Sequence, residues 1–285
     1  MNDNEIFIVG ANGQLGTALR VQYPNARFAD AGELDITDRK AVEAFDWGNT
    51  KYIINAAAYT NVDGAETQEG RVLSWSINAD GVANLVAVAA QHDMTLVHIS
   101  SDYVFDGTKT PHVEDEKLSP LSVYGASKAA GDIAVSLLPK FYNLRTTWVI
   151  GEGKNFVRIM LGLAEKGISP TVVADQVGRL TFTSELVKAI DHLLTTKSPY
   201  GVYNVTNDGE SMSWAEITRE IFQAAGYENL TVTDTTTQEY YAGKPGIAPR
   251  PLQSEMDLTR LHSTGFVSRD WKDDLKEYIE KEKNS

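Results

Sequence analysis

Glu5-Ile6-Phe7-Ile8-Val9-Gly10-Ala11-Asn12-Gly13-Gln14-Leu15-Gly16 is the stretch that decides the fold. Its opening is a run of β-forming residues, and the residues after Gly16 suit a helix to about Val21. Strand, glycine turn and helix in that order leave backbone N–H groups open at a helix N-terminus, where a pyrophosphate can bind without any basic side chain. The glycines are spaced G-x-x-G-x-x-G, a variant of the commoner G-x-G-x-x-G. A second strand, Ala26-Arg27-Phe28-Ala29, ends at Asp30, where a carboxylate should meet the adenosine ribose. Gly10, Asn12, Gly13, Gln14, Leu15, Gly16 and Asp30 are therefore expected to hold a dinucleotide.

Asp30 also bears on the choice of cofactor. A carboxylate that accepts from the ribose 2′-OH repels a 2′-phosphate, and Ala31 and Gly32 come next with no Arg. NADH is favoured over NADPH, with Arg27 and Arg39 as the cations that could reverse the preference.

Beyond the loop, strands and helices alternate. Thr37 to Phe45 reads as a helix, Lys51 to Asn55 as a strand, Ser74 to Gln91 as a long helix and Met94 to Ile99 as a strand. Tyr124 to Leu138 then reads as a helix and Tyr142 to Val149 as a strand. Such alternation implies right-handed crossovers and a doubly wound parallel sheet of the Rossmann type, with ligands at the carboxyl ends of the strands. Ala56-Ala57-Ala58-Tyr59 and Ser100-Ser101-Asp102-Tyr103 fall at such ends, and the small residues suit close approach of a nicotinamide. After Trp148 the alternation weakens. Phe156 to Lys166, Thr183 to Leu194, Trp214 to Ala225 and Asp270 to Lys281 read as helices and Gly201 to Val205 as a strand, while Thr231 to Gln253 is irregular. The expected division is a cofactor domain over 1–150, with roughly 183–202 returning to it, and a smaller mixed α/β lobe for substrate over 151–182 and 203–285.

The bulk properties narrow the class of ligand. Across 285 residues, 42% are hydrophobic and 23% charged, which describes a folded globular chain. A net charge of −13 argues against broad phosphate neutralisation, so no nucleic-acid partner is expected. With no Cys, disulfides and thiolate catalysis are absent. The N-terminus Met1-Asn2-Asp3-Asn4 lacks a basic signal start, and no apolar stretch approaches a membrane span, which points to a cytoplasmic enzyme without membrane contact.

Tyr124 and Lys128 are four positions apart and share a helix face, so the Lys128 ammonium is expected near the Tyr124 phenol, favouring its ionisation. A hydroxyl residue after a strand, then Tyr-x-x-x-Lys on the next helix, behind a dinucleotide loop, resembles the extended short-chain dehydrogenases/reductases. More narrowly, the glycine loop, Leu34-Asp35-Ile36-Thr37-Asp38, Asn55 to Glu66, Ser101 to Gly107 and Asp175-Gln176-Val177-Gly178-Arg179 resemble the dTDP-4-dehydrorhamnose reductase family.

That resemblance implies reduction of the C4 ketone of dTDP-4-dehydro-L-rhamnose by NADH or NADPH. Tyr124 would give the proton, Lys128 would tune it and hold the nicotinamide ribose, and Ser101 would hydrogen-bond the ketone oxygen. Asp35, Ile36, Ala57, Ala58 and Tyr59 join the cofactor set, and Asp102, Tyr103, Trp148, Asn155 and Arg250 join Ser101 as contacts to the nucleotide sugar. Two positions depart from the family pattern. Leu180 stands where Pro is usual, and Ala18 stands where some members carry a Glu that holds an interface magnesium, so no metal is predicted and a homodimer stays open. The rival readings are a non-catalytic subunit like the regulatory subunit of methionine adenosyltransferase, and a related nucleotide-sugar reductase or epimerase.

Overall fold

The first half of the chain, in a computed structural model that describes residues 1–284, alternates strand and helix as β1 (Ile6–Val9), α1 (Gln14–Gln22), β2 (Arg27–Ala29), α2 (Arg39–Ala44) and β3 (Tyr52–Asn55). It continues through the joined helices α3 (Gln68–Trp75) and α4 (Gly81–Gln91) to β4 (Thr95–Ser101), α5 (Val123–Val135) and β5 (Phe141–Thr146). The second half is more broken: β6 (Val149–Ile150), α6 (Phe156–Glu165), β7 (Thr171–Val173), β8 (Val177–Gly178), β9 (Thr181–Phe182), α7 (Thr183–Thr196) and β10 (Gly201–Asn204). Then come β11 (Met212–Ser213), α8 (Trp214–Ala225), β12 (Thr233–Thr235), α9 (Thr237–Tyr240), α10 (Thr259–Ser263) and α11 (Trp271–Lys283).

Six strands form one parallel sheet in the order β10-β5-β4-β3-β1-β2. The chain moves from β1 to β2 on one side and returns to β3 on the other, so the crevice beyond the ends of β1 and β3 is where a doubly wound sheet binds its ligand. Val9, Asn55 and His98 are in register, and β4 runs past them to Ser101, which carries that hydroxyl above the neighbouring strand ends.

Both faces of the sheet are buried, which is why its central strands β1 and β3 are almost wholly apolar. Ile6, Ile8 and Leu144 pack under Leu19 of α1 and Leu186, Ile190 and Leu193 of α7. Phe7, Val9 and Leu96 face the other way, against Leu85 and Val88 of α4. A separate cluster joins Val157, Leu180, Ile217, Phe222, Trp271 and Leu275 from the later helices and loops. Leu180 is fully buried there, so an apolar side chain fills the position where the family usually has Pro.

Three sequence expectations change. The helix expected from Ser74 begins at Gln68 and runs unbroken to Gln91 through a π-helical turn at Ser76–Asp80. At 24 residues, with mean hydropathy 1.3 in its most apolar window, it is long and apolar enough to span a membrane, contrary to the sequence reading. Its apolar side is used inside the protein, since Leu85, Val88 and Ala89 are buried against the sheet. The strand expected over Tyr142 to Val149 is cut at Trp148, whose φ of 43° is left-handed. β6 then leaves the main sheet and pairs with β9. Within the irregular segment, Thr233–Thr235 pairs in parallel with β7.

Candidate active site

Packing fixes the glycine turn. Gly10 has φ 75°, and a Cβ on it would lie 2.4 Å from the Ala57 nitrogen; one on Gly16 would lie 2.2 Å from the Gly10 carbonyl oxygen. Gly13 caps α1 without a side-chain hydrogen bond, which leaves first-turn N–H groups for an anion. In front of them is a cleft of about 380 Å³ bordered by Gly10, Gly13, Asp30, Asp35, Ala57 and Ala58. A bare backbone cradle, open helix N–H groups and an acidic residue at the end of β2 suit a dinucleotide.

The other cofactor candidates act through backbone or packing. Gln14 accepts a 2.9 Å hydrogen bond from Gly151 N through Oε1, and Leu15 is buried in the sheet core. Asn12 N and Ala31 N each donate to the Asp30 carboxylate, at 2.9 and 2.8 Å. Asp35 accepts from the Thr37 N–H and hydroxyl, and the Ile36 carbonyl accepts from Asn84. Tyr59 is held by Asn78 of the π-helical turn, which accepts from Tyr59 N at 2.9 Å and donates to Tyr59 O at 3.1 Å. Arg27 donates to the Asp46 carbonyl and lies over Phe7 and Phe45, while Arg39 pairs with Glu43. Neither arginine is directed at Asp30, which removes the sequence-based route to a 2′-phosphate.

Ser122 caps α5 by accepting from Gly125 N, which puts Tyr124 in the first turn and Lys128 one turn on. α5 sits tightly on the segment after β4, for a Cβ on Gly125 would lie 2.2 Å from the Tyr103 carbonyl oxygen. Ser101 acts on the Tyr124 phenol from nearby, favouring its ionised form. Ser101 in turn donates to Asp102 Oδ1 at 2.9 Å and accepts from Tyr103 N at 3.2 Å.

The tuning expected of Lys128 is not what this arrangement gives. Burial pushes the Tyr124 phenol up to about 12, partly opposed by Ser101 and reinforced by Asp102. Lys128 Nζ donates to the Ile99 carbonyl at 2.6 Å. Burial pulls its ammonium down to about 8, with Asp132 opposing that shift. Burial thus favours the protonated phenol at Tyr124 and the neutral amine at Lys128.

The nucleotide-sugar candidates separate into two groups. Tyr103, Trp148 and Arg250 border a cavity of about 490 Å³ together with Phe156, Trp214 and Tyr241. Tyr103 also meets the Tyr124 ring edge-on, with centroids 5.3 Å apart, so the cavity lies one ring away from Tyr124. Trp148 is stacked on Trp214, centroids 3.7 Å apart. Arg250 is not a free cation, because Nη2 makes a bidentate pair with Asp63 at 2.8 and 2.9 Å and Nη1 donates to Ala248 O.

Asp102 and Asn155 serve the scaffold. Asp102 is buried and accepts from Ser101 and Ser254, the latter at 2.6 Å, and burial raises its pKa. Asn155 caps α6 by accepting from Arg158 N and donates to Gly151 O and Tyr278 Oη, placing its amide in a loop clamp outside the aromatic cavity.

The family model described as RmlD substrate binding domain matches residues 4–284. A dTDP-4-dehydrorhamnose reductase of Aggregatibacter actinomycetemcomitans is 37% identical, over 95% of this chain and 97% of that protein. The chain belongs to the dTDP-4-dehydrorhamnose reductase family. The crystal structure of a dTDP-4-dehydrorhamnose reductase from Bacillus anthracis in complex with NADP is 35% identical, with a TM-score of 0.87 over 97% of this chain and 98% of that one. A probable dTDP-4,6-dihydroxy-2-methyloxan-3-one 4-ketoreductase of Streptomyces antibioticus is 36% identical, over 95% of this chain and 93% of that protein.

Three residues at this family site escaped the sequence reading. Trp214 opens α8 behind the capping box of Ser213 and Glu216, and the period of that helix marked it only as amphipathic. Tyr241 comes after Tyr240 in the segment read as irregular, close enough to lie under the Arg250 guanidinium at 4.7 Å. Asn78 looked like an ordinary polar residue within a long helix. Its signal would have been the need for two amide partners at a strand end with no side-chain neighbour in sequence.

Proposed function

We propose that this protein reduces the C4 ketone of dTDP-4-dehydro-L-rhamnose to dTDP-L-rhamnose with NADH or NADPH, through Ser101, Tyr124 and Lys128. The observation that carries this reading is the edge-on contact of Tyr124 with Tyr103, which sets the phenol one aromatic ring from a cavity lined by Trp148 and Trp214. When bound in the glycine cradle, a reduced nicotinamide supplies the hydride.

The side chains supply the rest. Tyr124, held protonated by burial, gives its proton to the C4 oxygen as negative charge develops there. Ser101 donates a second hydrogen bond to that oxygen, turning away from Asp102. Lys128 stabilises the phenolate left behind and hydrogen-bonds the nicotinamide ribose. The stacked Trp148 and Trp214 rings offer an aromatic wall for the thymine to pack against, with Tyr103 between base and ketone. Arg250 reaches a diphosphate through Nε, or with its other nitrogens if Asp63 releases them. Segments 1–150 and 183–202 hold the cofactor in this scheme, while 151–182 and 203–285 hold the sugar nucleotide. A charged, soluble substrate of this kind suits an enzyme of the cytoplasm.

The test is oxidation of NADH or NADPH by the purified protein in the presence of enzymatically prepared dTDP-4-dehydro-L-rhamnose, with the sugar product identified. Turnover forming dTDP-L-rhamnose is expected. Likeness to the Streptomyces antibioticus relative favours one second reading, reduction of a different dTDP-linked 4-keto sugar by the same residues. A protein that turns over that sugar class but not the rhamnose precursor would support it.

A further inference from the structure

Behind the acidic residue after β2 lies a cation that neither that residue nor the glycine motif accounts for. Arg20 lies on α1, one turn beyond Gly16, and its Nη2 donates to Asn12 Oδ1 at 2.9 Å. Asn12 N donates in turn to Asp30 Oδ2, also at 2.9 Å. A single loop residue therefore separates the guanidinium from the carboxylate placed to meet the ribose. The guanidinium also lies 5.1 Å from the centre of the Phe28 ring, two residues before Asp30, which orients it along the end of β2.

We propose that Arg20 admits a 2′-phosphate beside Asp30, so that the cleft takes NADPH as well as NADH. The inference rests on reading the cleft as a dinucleotide site, and it concerns which dinucleotide.

The balance of charge at this end of the cleft supports the assignment. Asp30 and Glu33 are adjacent, with Glu33 accepting from Asp30 N at 2.9 Å, so an incoming phosphate meets two carboxylates. Both oxygens of Asp30 already accept backbone N–H groups, which fixes and partly offsets its charge. Arg27 and Arg39 are engaged elsewhere, and eight arginines of the chain, Arg39 included, are paired with carboxylates. Among the described residues Arg20 has no carboxylate partner, and its Nε and Nη1 make no hydrogen bond. Its one hydrogen bond is to a neutral amide. Exchanging that bond for a phosphate dianion, which a guanidinium can grip with two parallel N–H groups, is a gain in charge-assisted hydrogen bonding. The freed Asn12 amide remains beside the ribose.

The probes are adenosine 2′,5′-bisphosphate and 5′-AMP, which differ only in the 2′-phosphate, titrated calorimetrically into the intact protein. Neither needs the sugar substrate, so failure of the proposed reduction leaves this test standing. Wild-type protein should bind both. Arg20→Gln should lower the affinity ratio of bisphosphate to monophosphate by about tenfold or more, the size of a lost charge-assisted contact, and Arg20→Lys should lower it less. A ratio unchanged in Arg20→Gln, or a wild type that binds 5′-AMP and rejects the bisphosphate, overturns the role of Arg20. A wild type that binds neither probe overturns the dinucleotide reading of the cleft, and this inference with it.

Discussion

Lys128 Nζ donates a 2.6 Å hydrogen bond to the carbonyl of Ile99, two residues before Ser101 on β4. α5 is therefore tied to the strand that presents Ser101, through an ammonium that burial holds at about 8, below its ordinary 10.5. An unfolded chain keeps that proton to the higher value. Between about pH 8 and 10.5 the unfolded state consequently holds more protons than the folded one, and the Lys128 contribution to stability rises with pH. Urea unfolding of wild type and Lys128→Met should show the stability difference, wild type minus variant, increasing across that window. A flat difference would contradict the burial account.

In the proposed mechanism the same group should govern the alkaline side of catalysis. Tyr124 stays protonated to about 12, so it is the loss of the Lys128 charge that should lower the reductive kcat above about pH 8. A pH–rate profile that stays level to pH 10 would remove Lys128 from this role.

Tyr124→Phe keeps the ring that meets Tyr103 and deletes the proton. Turnover should fall about a hundredfold to ten-thousandfold. Cofactor affinity, measured by fluorescence titration, should change little. Near-normal turnover in this variant would mean that another group is the acid.

Asn78 is fully buried and commits its amide to both polar atoms of the Tyr59 peptide and to Ser127 Oγ. Asn78→Ala leaves those groups without partners and should cost about 1–3 kcal/mol in chemical denaturation. It should also weaken cofactor binding, because it loosens the strand end that borders the cradle.

Trp214→Ala removes one wall of the aromatic cavity and should weaken dTDP binding, measured by calorimetry, about tenfold. Asn155→Ala makes a useful contrast, for the loss of the α6 cap should cost about 1 kcal/mol of stability. A larger loss of dTDP affinity than of stability in that variant would restore Asn155 as a direct contact.

Local pattern carried most of the architecture. The apolar run ending at Val9, the glycine turn and the helix after it could be read directly, because β-propensity, positive φ and helix periodicity are short-range properties. The i, i+4 relation placed Tyr124 and Lys128 on one face. It could not show that the ammonium would reach Ile99, which depends on how α5 lies over β4. Nor could it show that Asp102 would accept from Ser254, 152 residues later. The pairing of Arg250 with Asp63, 187 residues earlier, was equally hidden. Long-range polar pairing of this sort leaves no periodic trace, and neither does the left-handed turn at Trp148 that redirects the chain out of the main sheet.

The most direct test of the central claim is transfer of deuterium to the sugar. Wild-type protein given dTDP-4-dehydro-L-rhamnose and reduced nicotinamide cofactor labelled at the transferring position should yield dTDP-L-rhamnose with deuterium at C4, seen by NMR, and Tyr124→Phe should yield almost none. No labelled product from the wild type, or equal labelling in both proteins, would contradict the assignment.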